Sequence, residues 1–426
     1  MLFYFMAIRH FTNITLSSHF IHLYKFQTVM NYKYLYCIIL FACLSQVGYS
    51  QIMPWRNLFQ RQQTQQQIPT IEVVPSRISD GNARLSDIIE SIEYVPLETT
   101  DDVLIGSIIP NTRGFDVSDN YIVVFCNQQT QVFLFSRDGR FIRRIGRRGQ
   151  GPGEYTMLAG VFLDEKREQI FVLTIPQNIL VYNLRGEFVR YMPTAHNRGS
   201  LTRLHNDHFF FHNSFKMPFV YEIRDINLQL VAEDVTNGLY RVLFSQGIGS
   251  AVDYLFNDKI HVRPWLFNDT IFSIENDFSF IPRFVVTAGS RTPSVDLLTA
   301  DKDRFVNRAP GYVSISSIRQ TANKLLLRYR FQNRTHHVYF DKNTERLFRF
   351  RSESGIPNDF DGGVDFWPHR QDNLIWYRFF HAYYLIENSG RIAPTGGAAA
   401  VQSFNRLIER LDPDDNPVLM IVRIRE

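Results

Sequence analysis

Cysteine is scarce in this chain: there are three in 426 residues, Cys37, Cys43 and Cys126. Three thiols cannot build a disulfide framework, and two of them sit in an N-terminal apolar stretch, so a packed core must hold the fold. Cys126 ends the strand-like run Tyr121–Cys126 and reads as a small buried hydrophobe rather than a nucleophile. An excess of one charge is also missing. Lys and Arg number 46 against 42 Asp and Glu, a net +4. Basic residues such as Arg140, Arg143 and Arg144 alternate with apolar ones, as on a solvated strand face, and no aromatic–basic RNA pattern accompanies them. Nucleic acid is therefore not an expected partner. Methionine is rare, 8 residues against 37 Phe and 20 Tyr, and such flat rings suit the space between stacked sheets better than a helix bundle.

The familiar catalytic spacings are absent as well. There is no Gly-x-Ser-x-Gly elbow, no His-Glu-x-x-His and no Cys–His pairing. Gly146–Glu154 is glycine-rich after a strand, but it lacks the Lys-Ser/Thr of a phosphate loop, and no helix follows it. Asp359-Phe-Asp361-Gly362 begins like a calcium loop without the later bidentate Glu, so a turn held by Asx hydrogen bonds is the simpler reading. His208 and His212 share a strand face but stand ~13 Å apart along it, too far to share one zinc. No cofactor is expected, with calcium as the one alternative.

A repeat occupies the middle of the chain. Val132-Phe-Leu-Phe-Ser-Arg-Asp-Gly139-Arg-Phe-Ile-Arg-Arg-Ile145 is echoed by Ile179-Leu-Val-Tyr-Asn-Leu-Arg-Gly186-Glu-Phe-Val-Arg-Tyr-Met192, with the turn glycines 47 positions apart. Each copy reads as a hairpin whose turn ends in a glycine tolerant of positive φ. A period in the forties with several short strands per unit is that of propeller blades. Six units can be counted. They are Tyr121–Phe125 with Val132–Ile145; Ile170–Thr174 with Ile179–Met192; His208–His212 with Phe219–Ile223; Asp253–Phe256 through Val286; Tyr312–Ile318 through Phe350; and Leu374–Tyr377 with Ala382–Ile386, turning at Asn388–Gly390. The expected fold is all-β, a six-bladed propeller of four-stranded antiparallel blades. Closing such a ring calls for a strand from one terminus, and Ile92–Leu97 and Val418–Ile424 are both suited. A helix is expected over Val401–Leu411, from its one-sided apolar spacing.

Upstream, Met30–Ser50 has the layout of a signal peptide: Lys33, an apolar core Tyr34–Leu44 of about eleven residues, then small residues at Gly48 and Ser50. That core is too short for a membrane span, which needs about 20 residues. Cleavage between Ser50 and Gln51 is one reading; lipidation of Cys43, in Leu40-Phe-Ala-Cys43, is the other. Both export the chain. Residues 1–29 are expected to be a spurious upstream extension, 30–50 the signal, 51–69 a flexible Gln-rich linker and 70–426 the propeller domain.

Asp138-Gly-Arg-Phe-Ile-Arg-Arg-Ile-Gly-Arg-Arg-Gly-Gln-Gly-Pro-Gly-Glu-Tyr155 resembles a blade junction of NHL-type propellers. With Phe267–Phe272, Gly355–Gly363, Phe366-Trp-Pro368 and the ending Asn416–Val422, the chain from about Thr70 onward resembles an exported six-bladed β-propeller family of Gram-negative gut bacteria. That resemblance implies a fold and export, as a secreted, periplasmic or lipid-anchored envelope protein, and leaves activity open. The ligand-binding candidates are Arg147, Arg148, Glu154, Asn268, Asp269, Asn358, Asp359 and Trp367. Trp265, Trp367 and Trp376 could stack on sugars, but an aromatic core explains them more simply. Three functions compete. The first is a binding or scaffold propeller that holds a peptide, glycan or partner protein in the envelope, and the second a metal-dependent hydrolase or lyase with ligands at the channel mouth. The third is a structural partner of an outer-membrane complex, which would expose a broad apolar patch.

Overall fold

The computed structural model describes residues 68–106, 108, 113–126, 128–175, 178–194, 199–213, 219–235, 252–263, 269–292 and 309–426. The expected signal peptide, both processing sites, the linker as far as Gln67, Trp265 and Asn268 lie outside them.

Three strands lead in: β1 (Thr70–Glu72), β2 (Ser79–Asp80) and β3 (Ile89–Pro96). An antiparallel run follows, of β4 (Phe115–Val117), β5 (Tyr121–Cys126), β6 (Gln131–Ser136) and β7 (Phe141–Ile145). After the short parallel pair β8 (Arg147–Arg148) and β9 (Glu154–Tyr155) comes a second run of β10 (Leu158–Asp164), β11 (Gln169–Thr174), β12 (Asn178–Asn183) and β13 (Phe188–Pro193). The third run is β14 (Gly199–His205), β15 (His208–Asn213), β16 (Phe219–Asp225) and β17 (Leu230–Val235). The fourth is β18 (Val252–Phe256), β19 (Lys259–Arg263), β20 (Thr270–Ile274) and β21 (Phe280–Thr287), with β1 added in parallel to its outer edge. The fifth is β22 (Ser314–Gln320), β23 (Lys324–Phe331), β24 (Arg334–Asp341) and β25 (Arg346–Arg349), edged by β2. The final run has β26 (Arg370–Asp372), β27 (Ile375–Phe380) and β28 (Val418–Ile424), with β3 on its outer edge, and a parallel pairing of Asp372 with Leu255 of β18 joins it to the fourth run in one nine-stranded sheet. The two terminal segments picked out from the sequence are thus paired with each other in this run.

The two copies of the central repeat take the same turn. Gly139 and Gly186 both have positive φ, +91° and +78°, and each donates its N–H to the residue three positions back, Ser136 or Asn183, at 2.9 Å. A side chain at Gly139 would also collide with the Pro96 carbonyl.

Middle strands read as unbroken apolar runs because both their faces are covered. In β11, Ile170 and Val172 pack with Val123, Phe125 and Leu134 of the first run, while Phe171 and Leu173 pack with Leu201, Phe209 and Phe211 of the third. In the same way Ile122, Val124 and Phe133 of the first run meet Tyr377, Phe379, Leu419 and Ile421 of the last. Cys126 is fully buried in that cluster.

The first strands of the runs meet at a common centre, which makes the arrangement propeller-like. The Val161 N–H donates to the Arg113 carbonyl at 3.0 Å, and Leu163 N–H to Asp116 at 2.8 Å, joining β10 to the β4 side. Arg203 on β14 pairs with Asp253 on β18 at 3.1 Å and with Asp372 on β26. Arg370 pairs with Asp372 and, at 2.7 Å, with Asp116. Gln371 accepts from Gln320 N–H at 2.9 Å and donates back to its carbonyl at 2.7 Å.

Two segments differ from the sequence reading. Ala382–Ile386, expected as a strand of the last unit, lies in the helix α1 (Ala382–Asn388), and the place of that strand is taken by β28. Ala382 and Leu385, three apart, face the core, a spacing that only a helix satisfies. The helix expected over Val401–Leu411 is α2 (Ala398–Ile408), which starts three residues earlier after Gly397 because an alanine run supports its first turn. No helix among the described residues is long and apolar enough to cross a membrane.

Candidate functional site

Strand alternation brings a set of basic side chains to one end of the fifth run. Arg328 stands opposite His337, and Arg330 opposite Thr335, in the β23–β24 ladder, so the four side chains share one face. The intervening Leu327 and Tyr329 point the other way, into the core. Ser316, on β22, accepts from Arg328 Nε at 3.2 Å.

The connection from β25 to β26 supplies the opposite wall. Ile356 and Phe366 exchange backbone hydrogen bonds at 2.7 and 2.9 Å, which folds this segment back on itself and delivers Ser354 at one end and Trp367 at the other. Trp367 is 1% exposed; its Nε1 donates to Ser317 Oγ at 3.2 Å, and its ring lies 4.6 Å from that of His337. His369 is anchored by its backbone N–H to the Tyr377 carbonyl at 2.9 Å. Arg378, on β27, lies over the Phe380 ring at 4.2 Å.

Together Ser316, Arg328, Arg330, Thr335, His337, Ser354, Trp367, His369 and Arg378 line an open cleft of about 370 Å³. Ser316, Arg330, Thr335 and Ser354 form its exposed rim, and His337 and Trp367 are buried at its base. Burial, with the neighbouring Arg328, pushes the His337 imidazole down to about 4; burial, with Arg378, Arg328 and Arg319, holds His369 well below its ordinary value. Both rings are therefore neutral near pH 7. Burial also lowers Arg328, and lowers Arg378 to about 10. His337 Nδ1, His369 Nδ1 and Arg378 Nε have no hydrogen-bond partner. The cleft is thus a donor-rich, ligand-sized concavity between two sheets.

The residues picked out from the sequence are spread over several places. Trp367 lies at the base of the cleft. Arg147, 81% exposed, pairs with Glu154 at 2.6 Å, and Glu154 also accepts from Gly151 N–H at 2.8 Å, so this pair closes the junction upon itself; Arg148 is exposed beside it. Asp269 is half-buried, its carboxyl raised by burial against the opposing pull of Arg263. Asn358 and Asp359 are buried and internally engaged. Asp359 accepts from Ser86 N–H and Oγ at 3.0 and 2.7 Å and from Thr395 Oγ1 at 3.0 Å, which overcomes the upward push of burial and holds it below the usual carboxylate range. Phe360 N–H donates to Asn358 Oδ1, and Gly363 N–H to Asp361 Oδ1, which are the Asx bonds expected of this turn. Asn268 lies outside the described residues.

Arg328, Arg330, His337, His369 and Arg378 were not singled out from the sequence. Their one advance signal is the Arg328-x-Arg330 alternation opposite His337, which looks like any solvated strand face until the β25–β26 connection covers it. Among the described residues, no group of three or more His, Cys, Asp or Glu is placed to hold a metal ion.

No curated protein matches the chain. Among solved structures, the "Putative exported protein" of Bacteroides fragilis NCTC 9343 is similar over 84% of this chain and 100% of its own, at 18% identity and a TM-score of 0.59, a likeness of fold. A member of the duf4221 family from Bacteroides vulgatus aligns over 79% of this chain and 97% of its own, at 9% identity and a TM-score of 0.41. BamB from Moraxella catarrhalis aligns over 61% and 66%, at 10% identity and a TM-score of 0.36. A family model matches residues 68–423, most of the chain, and on that match the chain belongs to the family described as Domain of unknown function (DUF4934).

Proposed function

We propose that this chain is an exported binding propeller that holds a peptide, glycan or partner protein in the cell envelope, with the cleft between its fifth and last sheets as the ligand seat. The sheets are read as six blades of a closed, NHL-like ring. Supporting this are the four-strand period, the packing of the last run on the first, and the completion of the last run by β3. Export is supported by the Met30–Ser50 pattern and by the name of the B. fragilis relative. The domain boundaries read from the sequence belong to the same proposal: a dispensable 1–29, a signal at 30–50, a linker at 51–69 and the propeller from 70.

The observation that carries the binding reading is the cleft itself, where a buried tryptophan backs polar groups, among them His337 Nδ1, His369 Nδ1 and Arg378 Nε, that have no partner within the chain. The Gly146–Glu154 junction runs, like the Ser354–His369 segment, from an outer strand to the next inner one. In a closed propeller such connections share a face, so Arg148 and Glu154 are candidates for an extended rim. A channel-mouth metal enzyme is disfavoured, since Asp116, Asp253 and Asp372 at the centre are already paired with Arg203 and Arg370.

The test is capture of ligand from native envelope by the purified chain, its exported N-terminus read as Gln51 or Cys43. Filling the cleft with Thr335→Trp should abolish capture without moving Tm, whereas Arg148→Ala should at most weaken it. Undiminished capture by Thr335→Trp would remove the cleft from the proposal.

A further inference from the structure

The arginines of the centre and those of the cleft are treated differently. At the centre, Arg203 and Arg370 each meet carboxylates, Asp253, Asp372 and Asp116, and their charge is compensated within the chain. In the cleft, Arg328, Arg330 and Arg378 form no ion pair among the described residues. Arg328 donates to a serine hydroxyl, Arg330 reaches Asn333 Oδ1 at 3.4 Å, and Arg378 lies on a phenyl ring. No carboxylate lines the cleft among the described residues. Arg328 and Arg378 are half-buried and Arg330 is exposed at the rim, and three guanidinium groups converging on one concavity without a counter-charge on its walls create a strong local field.

We propose that the cleft is an oxyanion site: it takes a sulfate, phosphate or carboxylate group carried on a polar molecule about the size of a monosaccharide. The inference rests on the reading of the cleft as the ligand seat and adds the class of ligand. The guanidinium fork matches an oxyanion in geometry as well as charge. Ser316, Thr335 and Ser354 at the rim offer hydroxyls to the rest of the molecule. The size argues for a carrier, because ~300–1,000 Å³ is the range of small-ligand pockets and a bare ion would leave most of about 370 Å³ empty. His369 supports the assignment: neutral near pH 7, it has one N–H to give and an Nδ1 without a partner inside the protein, whereas the single N–H of His337 is engaged by the Glu353 backbone.

The test is calorimetry on the full mature chain at low salt with glucose 6-sulfate, glucose 6-phosphate, glucuronate and glucose. At least one anionic sugar should bind with one-to-one stoichiometry and weaken as salt rises, and glucose should not bind. Which of the three binds tells a sulfate, a phosphate or a carboxylate source apart. Arg328→Gln and Arg378→Gln should each weaken that binding at least tenfold, and Arg406→Gln, on the exposed side of α2 and outside the cleft lining, should leave it unchanged. Without ligand the two cleft variants should melt no lower than the wild type, because they remove an uncompensated charge; a structural arginine would lower Tm when lost. A second readout is the proton titration of His337 and His369, followed by NMR, which should move upward when the anion binds. If glucose binds as well as its anionic forms, and Thr335→Trp blocks it, the oxyanion assignment falls and the ligand seat stands. If no sugar binds and envelope capture survives Thr335→Trp, both fall.

Discussion

Gly153 shows how one atom can decide a local conformation. Gly149, Gly151 and Gly153 crowd the junction after Gly146, and of these four Gly146 and Gly153 take positive φ, +63° and +70°. A Cβ on Gly153 would lie 2.6 Å from the Phe188 ring, whereas one on Gly151 would meet only the flexible end of Glu154, at 3.1 Å. Gly153→Ala should therefore cost about 1–3 kcal/mol through strain and displacement of Phe188, and Gly151→Ala well under that. Chemical denaturation of the two variants checks the order. A larger loss at Gly151 would contradict the backbone assigned here. The density of glycines was visible in the sequence, but not which of them takes positive φ, because that depends on where the neighbouring blade puts Phe188 and Tyr182.

Among the elements, β28 carries the most contacts of consequence. It hydrogen-bonds to β27 on one side and β3 on the other, and Val418, Leu419, Met420, Ile421, Val422 and Ile424 are all buried. Asn416 just before it donates to the carbonyls of Glu98 and Val103 and accepts from Ile105 N–H, fastening the lead-out of β3 to the same spot. Deleting Val418–Glu426 should abolish cooperative unfolding: several side chains worth ~1.5–3 kcal/mol each are lost at once, and two strand edges are left open. A calorimetric transition within a degree of the full chain would contradict this. That Val418–Ile424 forms a strand was legible, because it is apolar but for Arg423; that it pairs with β3 was not, since each segment was suited to closing the ring by itself. The α1 error has a different cause. Tyr383, Tyr384, Leu385 and Ile386 favour strands locally, yet the segment folds as a helix because β28 already occupies the edge of β27 where it would have paired. The cleft was legible only in its tryptophan. Arg328, His337 and Arg378 belong to different strands, and their convergence depends on how two sheets pack, which no local spacing encodes.

For the whole molecule, buried histidines set the response to acid. His261, stacked on Tyr254, and His337 are both pushed down to about 4, chiefly by burial, and His369 lies well below its ordinary value for the same reason. Arg283 and Lys342 add to this around His261, against the opposing pull of the Lys259 carbonyl and of Glu275; Arg328, Arg378 and His336 add to it around His337, against a hydrogen bond to the Glu353 backbone. Unfolded, each ring takes its proton near 6.5. Between that value and about 4 the unfolded chain binds more protons than the folded one, so stability is complete above pH 6.5 and falls as the pH drops, by roughly 1–2 kcal/mol per imidazole at pH 5. Carboxylates act in a lower window. Burial raises Glu275, but Lys259, Ser273 and Arg283 outweigh it and hold the group at about 2, so its contribution persists until the pH falls below the ordinary carboxylate range. Melting curves from pH 8 to 3 should therefore decline in two stages, the first beginning near 6.5. His261→Phe should flatten only the first stage, since a ring that cannot be protonated removes that penalty. A ligand oxyanion in the cleft should flatten the same stage through His337 and His369, because it favours their protonated forms in the folded state and makes binding tighter as the pH falls from 7 to 5. A melting temperature level from pH 7 to 5 in the unliganded wild type would show that these imidazoles are hydrated, and that the cleft is wetter than the packing around Trp367 implies.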